Sequence, residues 1–547
     1  EIKDLRESKL DRGAAATHDG RFVVEGDLTI GGQLTLNGIP VAAERSFGTP
    51  REVKVNQYQI AATDGLVTAV LQAGIEASGT LTGECPPGQV RLSVAVPVAP
   101  KNTHLSDRAP RLYPEAGVPG DGFGAAVALE GDLAVVGAPL KDAENVTDAG
   151  CAFVFVRQGG RWERTARLTA DVPEVNDRFG AAVAISGDTI LVGAPGKGSV
   201  ATKIVNGVAV PQYPSVGATY VFVRKGDAWS LQAVLRRTAN EGGQWSGAED
   251  GSTLALQGDL ALVGAPAYAS RRGTVRAYTR KGGSWTQQFE FSHSENRSEQ
   301  RFGAAIAVSG DSVLIGSSWR HDYHGRVYGF IRKGESWEQQ GGELGPVKSE
   351  ALSAFGTSVA LASDTVLVGE PGLTIGDRAF PSGGNAYVLV RKGGAWQEKA
   401  KLTPRDSTAG DRFGASVALS GNLALIGAPG KFSRGEKAGA AYLFVLRGEK
   451  WVEVAKWVVG DGGENDAFGS VVTLQGEHAL IGSPQGRNDA GASSGVVLST
   501  AALPAPRTNS FLMEVRKGET WLARLTSESG ACSARVQWTP LDSTKKT

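Results

Sequence analysis

The sequence has little of what zinc sites, disulfide scaffolds and membrane spans require. Its 547 residues include only 3 cysteines and 6 histidines, which are too few and too scattered for a zinc site or a disulfide-rich fold. It also lacks an apolar run of the length, about 18 residues, that a membrane-spanning helix needs. These shortages exclude small metal-stabilised domains and predict no insertion into a membrane.

An excess of charge of one sign is also missing. The chain has 57 basic and 57 acidic residues, which gives a formal net charge of zero. A protein without a basic excess has no broad field that attracts phosphate groups, so we predict no binding to nucleic acid.

Catalytic motifs are equally scarce. The sequence contains no HExxH, CxxC or GxxxxGK[ST] motif. A GxSxG match at residues 491–495 lies in a Gly/Ser-rich stretch with no helical pattern after it, so we interpret it as a coincidence. The sequence therefore predicts a protein that is not an enzyme and has no resident cofactor.

Glycine, in contrast, is abundant, with 74 residues, and many of them belong to an internal repeat. An FG pair, an apolar run, a tight turn, a second apolar run and Gly-Ala-Pro recur along the chain. The first copy, FGAAVALEGDLAVVGAP, occupies residues 123–139, and six further copies begin at residues 179, 250, 302, 355, 413 and 468. The third copy has Asp250 where the others have phenylalanine, and the fourth ends in Gly-Ser-Ser.

Each copy predicts four β-strands, because a third apolar run and a Trp-led alternating run follow Gly-Ala-Pro. One four-stranded sheet buries too little surface to be stable alone, whereas twisted sheets that stack face to face close into a ring. We therefore predict an all-β fold with a seven-bladed β-propeller over residues 107–505. The recurring tryptophans are interpreted as packing between the blades: Trp162, Trp229, Trp285, Trp337, Trp396 and Trp451.

The repeats resemble the FG-GAP repeats of integrin α-subunit propellers and their bacterial relatives. In integrins, several repeats carry a calcium loop between the first two strands. Here that position has one carboxylate at most in a two-residue turn, whereas calcium needs six to eight oxygen ligands, so the integrin sites are not expected. The acidic loop after the first Gly-Ala-Pro is a candidate cation site, although a solvated loop is the simpler interpretation. Its candidate ligands are Asp142, Glu144, Asn145 and Asp148.

The two ends of the chain differ from the repeats. Residues 1–44 begin with heptad-like spacing of Ile2 and Leu5, which indicates the end of a coiled coil, and continue with short alternating runs that predict a β-stalk. The phrase LDR…GDLTIGGQLTLNG resembles the stalk repeats of phage and phage-tail-like fibre proteins, and this resemblance implies a homotrimer.

Residues 45–106 and 506–547 are both β-rich, and each is too short for a domain of its own. We predict one small β-sandwich that is split by insertion of the propeller. Cys85 and Cys532 would then share a domain and are candidates for a disulfide. In an alternative interpretation, residues 506–525 belong to the seventh blade, because VRKGETW at 515–521 copies the pattern at 223–229.

One loop concentrates residues that are suited to recognition. It replaces the end of the fourth repeat, and aromatic side chains beside arginine and aspartate suit sugar stacking or a protein hot spot. A second candidate is Trp245, in an insertion before the degenerate third repeat, because loops on a rigid scaffold commonly carry specificity. The candidate ligand-binding residues of the fourth repeat are Trp319, Arg320, His321, Asp322, Tyr323 and His324.

Together these patterns favour an extracellular, fibre-type adhesion protein of bacterial or phage-like origin. A trimer would bind a cell-surface glycan or protein receptor through its propeller loops, with avidity from linked sites. Two alternatives stay open. One is a monomeric, calcium-dependent, integrin-like adhesin, secreted or held at the surface, and the other is a propeller hydrolase or lyase that uses His321, Asp322 and His324.

Overall fold

The computed structural model describes part of the chain with side chains and further strands by their backbone alone. The ranges with side chains are residues 112–114, 120–159, 161–198, 216–237, 247–292, 299–319, 324–346, 352–372, 383–432, 438–459, 465–476 and 478–485. The chain divides into two compact units. The first comprises residues 1–101, 446–452 and 502–547, and the second comprises residues 102–445 and 453–501.

The first six repeats form five antiparallel, four-stranded sheets and a sixth sheet in which a fifth strand joins the four of the repeat, and we call these sheets blades one to six. In each blade the four strands pair in the order in which they occur along the chain. Blade one has Ala126–Glu130, Leu133–Ala138, Cys151–Gln158 and Arg161–Leu168. Blade two has Ala182–Ser186, Thr189–Ala194, Ala218–Lys225 and Ala228–Leu235, with an extra hairpin of Ala201–Val205 and Val208–Gln212. Blade three has Thr253–Gln257, Leu260–Ala265, Thr274–Lys281 and Ser284–Phe291, with a short helix at Tyr268–Arg271.

Blades four to six repeat this pattern. Blade four has Phe302–Ser309, Ser312–Ser317, Arg326–Lys333 and Ser336–Gln339. Blade five has Ser358–Ala362, Thr365–Glu370, Asn385–Lys392 and Ala395–Leu402, with a small hairpin of Thr374–Ile375 and Arg378–Ala379. Blade six has Ser416–Ser420, Leu423–Ala428, Ala440–Arg447 and Lys450–Val459.

The predicted count of seven four-stranded blades is wrong, because among the described strands only the first six repeats each contribute four strands to one sheet. The seventh repeat forms a three-stranded sheet of Val471–Gln475, His478–Gly482 and Val496–Leu498. The nearest downstream copy of the Trp-led strand, Thr520–Ser527, pairs with Glu76–Leu81 and Ala534–Pro540 instead. Long-range pairing therefore takes that strand away from the seventh repeat, and assignment of residues 506–525 to the seventh blade is wrong.

The first unit contains strands from both ends of the chain. One sheet has the strand order Leu28–Thr29, Glu76–Leu81, Thr520–Ser527 and Ala534–Pro540, and a second has Ala43–Glu44, Ile60–Thr63, Leu66–Gln72, Gln89–Ala95 and Thr508–Glu514. A two-stranded pair joins Ala15–Ala16 to Phe22–Val23. The split β-sandwich, the coiled coil and the stalk stay predictions, and Ile2, Leu5, Cys85 and Cys532 lie outside the described residues.

One strand that lies before the predicted boundary at residue 106 belongs to the propeller and not to the first half of the predicted sandwich. Asn102–Leu105 pairs in parallel with the last strand of blade six, opposite Lys456–Val459. These residues therefore extend blade six to five strands. The structure assigns them to the second unit.

Contacts between glycines explain why both FG and Gly-Ala-Pro recur. A Cβ atom on Gly427, the glycine of Gly-Ala-Pro in blade six, would overlap the carbonyl oxygen of Gly469, the FG glycine of the next sheet. The same contact joins Gly482 of the seventh sheet to Gly124 of blade one, and the first strands of these two sheets pack together. Because each sheet lies this close to the next, the repeats form a closed ring.

The phenylalanine of each described FG pair lies in the core. Five of them contact an aromatic ring of the third strand in the same blade, and the ring centroids are 5.2–5.7 Å apart. Such tilted pairs add about 0.5–1.5 kcal/mol beyond the area that they bury. The five pairs are Phe123–Phe153, Phe179–Tyr220, Phe302–Tyr328, Phe355–Tyr387 and Phe413–Tyr442.

Five of the six recurring tryptophans pack in core clusters, as predicted: Trp162, Trp229, Trp285, Trp337 and Trp396. Trp285 of blade three packs against a core cluster that combines Leu191 of blade two with Val263 of its own blade. The guanidinium of Arg280 lies over the same indole, 5.3 Å from the ring centroid. Arg–Trp stacks of this kind recur in blades one, four and five.

Cys151 is fully buried in blade one and its thiol is free. Burial raises the pKa of this thiol to about 11, so it is protonated and unreactive at neutral pH. In the part of the chain whose residues are described, no helix has the length and apolar character of a membrane span.

Candidate functional site

The propeller has two faces, whose connections differ in length. The turns between first and second strands and between third and fourth strands are short, as from Glu130 to Leu133, and lie at one face. The other connections are longer, as from Ala138 to Cys151, and lie at the opposite face because the strands are antiparallel. We call the second one the loop face. The candidate ligand-binding and metal-binding residues all belong to connections of this face.

A buried ion pair holds loops of this face in blades one, two and six. Lys197, which follows Gly-Ala-Pro in blade two, donates to Asp177 at 2.9 Å, and both side chains are almost fully buried. The Asp177 carboxylate also accepts from the backbone N–H of Glu174 at 2.8 Å, which fixes the preceding loop. Equivalent pairs are Asp121–Lys141 and Asp411–Lys431.

Sequence reasoning missed this ion pair, although the signal was present. In these three repeats an aspartate stands two residues before the FG phenylalanine and a lysine stands two residues after Gly-Ala-Pro. The two positions meet because the first strand begins where the second one ends. The third, fourth and fifth repeats lack both residues at these positions.

The third repeat replaces the aromatic pair of the core with an ion pair. Asp250 occupies the phenylalanine position, and Arg276 occupies the position of the partner aromatic ring on the third strand. The exposed fractions of these residues are 0% and 1%, and Arg276 donates to the Asp250 carboxylate. Both positions of the aromatic pair are therefore changed in the same repeat, and the two new residues have opposite charges.

A second arginine extends this ion pair toward the loop face. Arg237 lies 3.7 Å from the Asp250 carboxylate and 3.3 Å from Glu290. Its guanidinium stacks on Tyr268, 3.8 Å from the ring centroid. Burial raises the pKa of Asp250, and Arg276 and Arg237 oppose that effect. The network therefore anchors the short helix that begins at Tyr268.

This short helix is strained. Ala269, Ser270 and Arg271 have positive φ angles of 52°, 59° and 61°, a conformation that costs non-glycine residues free energy and is common at functional sites. Backbone hydrogen bonds join it to the segment before blade four. The N–H of Glu299 donates to the carbonyl oxygen of Ser270 at 3.2 Å, and the N–H of Arg301 donates to the carbonyl oxygen of Arg271 at 2.7 Å.

The fourth repeat brings Trp319 to this point. The Arg301 guanidinium lies over the Trp319 ring, 4.0 Å from its centroid, and Arg271 pairs with Glu299 at 3.2 Å. Burial, followed by the positive charge of Arg271, lowers the pKa of Arg301. We call the group of Arg301, Trp319 and Arg271 the Arg–Trp platform. The Arg301 guanidinium therefore stacks on an indole where blades three and four adjoin, and the backbone of Arg271 is bonded to that of Arg301.

The structure places only two of the seven predicted ligand-binding residues. Trp319 belongs to the Arg–Trp platform, as described above. The carbonyl oxygen of His324 accepts from Phe355 N–H at 3.2 Å and from the Ser353 hydroxyl at 2.9 Å, so its backbone holds the next loop. The other five lie outside the described residues: Arg320, His321, Asp322, Tyr323 and Trp245.

The acidic loop of blade one is described, and it does not bring its carboxylates together. Asp142, Glu144 and Asn145 are exposed and Asp148 is half-buried. The Asp142 carboxylate accepts from the backbone N–H of Asp148 at 3.0 Å, which closes a turn. No group of three or more His, Cys, Asp or Glu residues that could hold a metal ion occurs among the described residues. A cation at this loop stays a prediction without support from the geometry.

Comparison with known families agrees with the repeat assignment. A family described as "FG-GAP repeat" matches residues 108–155, 162–222, 396–444 and 451–497. These segments are FG-GAP repeats. The FG-GAP propeller is thus confirmed, whereas similarity to phage fibre proteins is not shown. The interval between residues 222 and 396, which the match leaves out, contains the third, fourth and fifth repeats.

Other comparisons add less. No curated protein sequence matches the chain. A solved structure from Bacteroides fragilis, assigned as a 6-phosphogluconolactonase, is 11% identical, and the similarity covers 70% of this chain and 98% of that chain with a TM-score of 0.42. Similarity at this level carries no argument about the activity of this chain.

Proposed function

We propose that the chain is a non-enzymatic, extracellular adhesion protein that binds a cell-surface glycan or protein with the loop face of blades three and four. The supporting observation is that departures from the repeat concentrate there. The aromatic pair becomes Asp250–Arg276, the usual aspartate becomes Gln300, and Gly-Ala-Pro gives way to a segment that ends in Trp319. A scaffold that only closes a ring would not require this clustering.

The chemistry of the site fits recognition. Arginine and tryptophan are enriched at interface hot spots, because each combines a large contact surface with hydrogen-bond donors. Both are held in place here, since Arg301 stacks on Trp319 and the Tyr268 helix is anchored by Arg237. Positioning before binding lowers the entropy cost of ordering side chains at the interface.

Apolar side chains elsewhere on the loop face also favour a binding surface. The exposed fractions of Val172 and Val175, between blades one and two, are 60% and 61%. Leu140 of blade one and Phe432 of blade six are 40% and 53% exposed in loops of the same face. These side chains lie outside blades three and four, so any contact that they make would add to the proposed site and would not define it.

Binding without chemistry can be tested on the intact chain. Labelled protein is applied to a glycan array and to cells with and without protease treatment. The masses of the array glycans are then measured by mass spectrometry. We expect saturable, reversible binding and unchanged glycan masses. A shortened or eliminated glycan product would contradict the proposal and favour a hydrolase or lyase.

The fibre type and the homotrimer belong to the same proposal. Their support is the stalk-like phrase in residues 1–44, and linked sites would raise avidity through effective concentration. Light scattering of the full chain should give the mass of a trimer. Deletion of residues 1–44 should lower avidity on cells much more than the affinity of one site. A monomer both with and without these residues would refute the fibre type. Because the mass does not test the binding face, the array experiment is run on the full chain and on the shortened chain.

A further inference from the structure

The strongest unexplained feature of the loop face is the charge of the Arg–Trp platform. Arg301 and Arg271 are joined by a backbone hydrogen bond of 2.7 Å, and Arg271 pairs with Glu299. Within the described residues, no carboxylate lies within ion-pair distance of Arg301, although the carboxylates of Glu249 and Glu299 attract it from farther away. Its guanidinium is half-buried against Trp319. A partly desolvated cation beside a second one is stabilised when an anion binds.

The neighbouring Gln300 increases this positive character. The equivalent residues in blades one, two and six are aspartates that pair with lysine. Gln300 is 1% exposed, and neither atom of its amide group has a hydrogen-bond partner among the described residues. Blade four therefore lacks the carboxylate of that pair, whereas the lysine position holds another basic residue, Arg320. A buried amide group needs hydrogen-bond partners, and a bound molecule or a water molecule can supply them.

Trp319 adds a selective element. An indole offers a flat apolar surface on which the C–H face of a sugar ring packs, and its amphipathic neighbours supply hydrogen bonds. Guanidinium groups bind carboxylates through two parallel N–H···O bonds, which fixes direction as well as charge. A ligand that uses both elements needs a carboxylate attached to a ring with an apolar face.

We propose that the Arg–Trp platform binds a carboxylate-bearing sugar residue. The carboxylate faces the guanidinium groups of Arg301 and Arg271, and the pyranose ring packs against the Trp319 indole. The proposal rests on the proposed function, because it names the ligand class of the same site. A sulfate-bearing sugar shares the charge but not the planar carboxylate, so the experiment separates the two.

The test uses isothermal titration of the full chain with three probes: sialyllactose, lactose and a 6-sulfated lactose. We expect sialyllactose to bind at least tenfold more tightly than lactose and more tightly than the sulfated sugar. Arg301→Gln and Trp319→Ala should each weaken sialyllactose binding at least tenfold. Raising the salt concentration from 50 to 500 mM should weaken sialyllactose binding to the natural chain, because salt screens the charge pair.

The matched control is Arg391→Gln, which removes an arginine from an Arg–Trp stack at the opposite face. Binding should be unchanged in this variant. If Arg301→Gln lowers the melting temperature, Arg301→Lys retains the charge and removes the planar group, and binding should still fall.

The outcomes separate the inference from the proposed function. Equal binding of sialyllactose and lactose, or a preference for the sulfated sugar, would overturn the carboxylate class while the adhesive role stands. Cell binding that disappears after protease treatment, with no binding to any sugar, would also overturn it and favour a protein receptor. No binding to sugars or to cells would overturn both. Sialyllactose binding that survives Arg301→Gln would place its site elsewhere.

Discussion

Alanine in place of Gly427 should destabilise the propeller by on the order of 3 kcal/mol or prevent folding. The added Cβ would overlap the carbonyl oxygen of Gly469 in the next sheet and the hydroxyl of Ser416. The backbone oxygen cannot move without separating the two sheets. Since the φ angle of Gly427 is not in the left-handed region, the cost comes from the contact and not from backbone conformation.

Gly342 provides a matched control for this substitution. A Cβ atom on Gly342 would have no neighbour within 4 Å, and its φ angle is also outside the left-handed region. Gly342→Ala should leave the free energy of unfolding within about 0.5 kcal/mol of the natural protein. Denaturant unfolding of both variants checks the expectation. Similar stability of the two variants would contradict a ring held by glycine contacts.

Asp250→Asn should be the second large effect, with a loss of about 3 kcal/mol or more. The substitution leaves Arg276 buried at 1% exposure beside a neutral group, and Arg237 loses one of its two acidic neighbours. Removal of one partner from a buried pair costs more than the pair contributes, because the remaining charge keeps its desolvation penalty.

The double variant Asp250→Phe, Arg276→Tyr should recover most of this loss. It restores the aromatic pair that blade two forms between Phe179 and Tyr220 at 5.2 Å. Replacement of a buried ion pair by well-packed apolar groups is often neutral or stabilising. Thermal unfolding of Asp250→Phe, of Arg276→Tyr and of the double variant gives the coupling free energy between the two positions. A double variant that is as unstable as the sum of the single changes would mean that the two positions do not substitute for each other.

The repeat made most of the propeller predictable. A period visible in the sequence fixes which residues begin and end the strands, and the FG and Gly-Ala-Pro motifs mark the places where neighbouring sheets touch. The fourth strand of the seventh repeat was not predictable in this way. VRKGETW at 515–521 has the local pattern of a blade, but the partners of its strand are Glu76–Leu81 and Ala534–Pro540. Local sequence carries no information about that choice.

The candidate site was predictable only in part. Composition singled out Trp319, because aromatic and charged residues stand together there. The contact with Arg301 was missed, although the start of the first strand and the end of the second strand of a blade lie at one end of the sheet. Arg271 could not have been found from its own repeat, since its position depends on the strained helix at Tyr268–Arg271 and on backbone bonds to the next blade.

The location of the binding face can be measured directly by comparing two double variants on the probes that the natural chain binds. Arg301→Gln, Trp319→Ala alters the loop face, whereas Lys281→Ala, Lys333→Ala alters exposed lysines at the turn face. With both variants folded by melting temperature, the first should lose at least tenfold in binding to the array glycan or cell, and the second should bind as the natural chain does. Loss of binding only in the turn-face variant would contradict the loop face of blades three and four as the site of recognition.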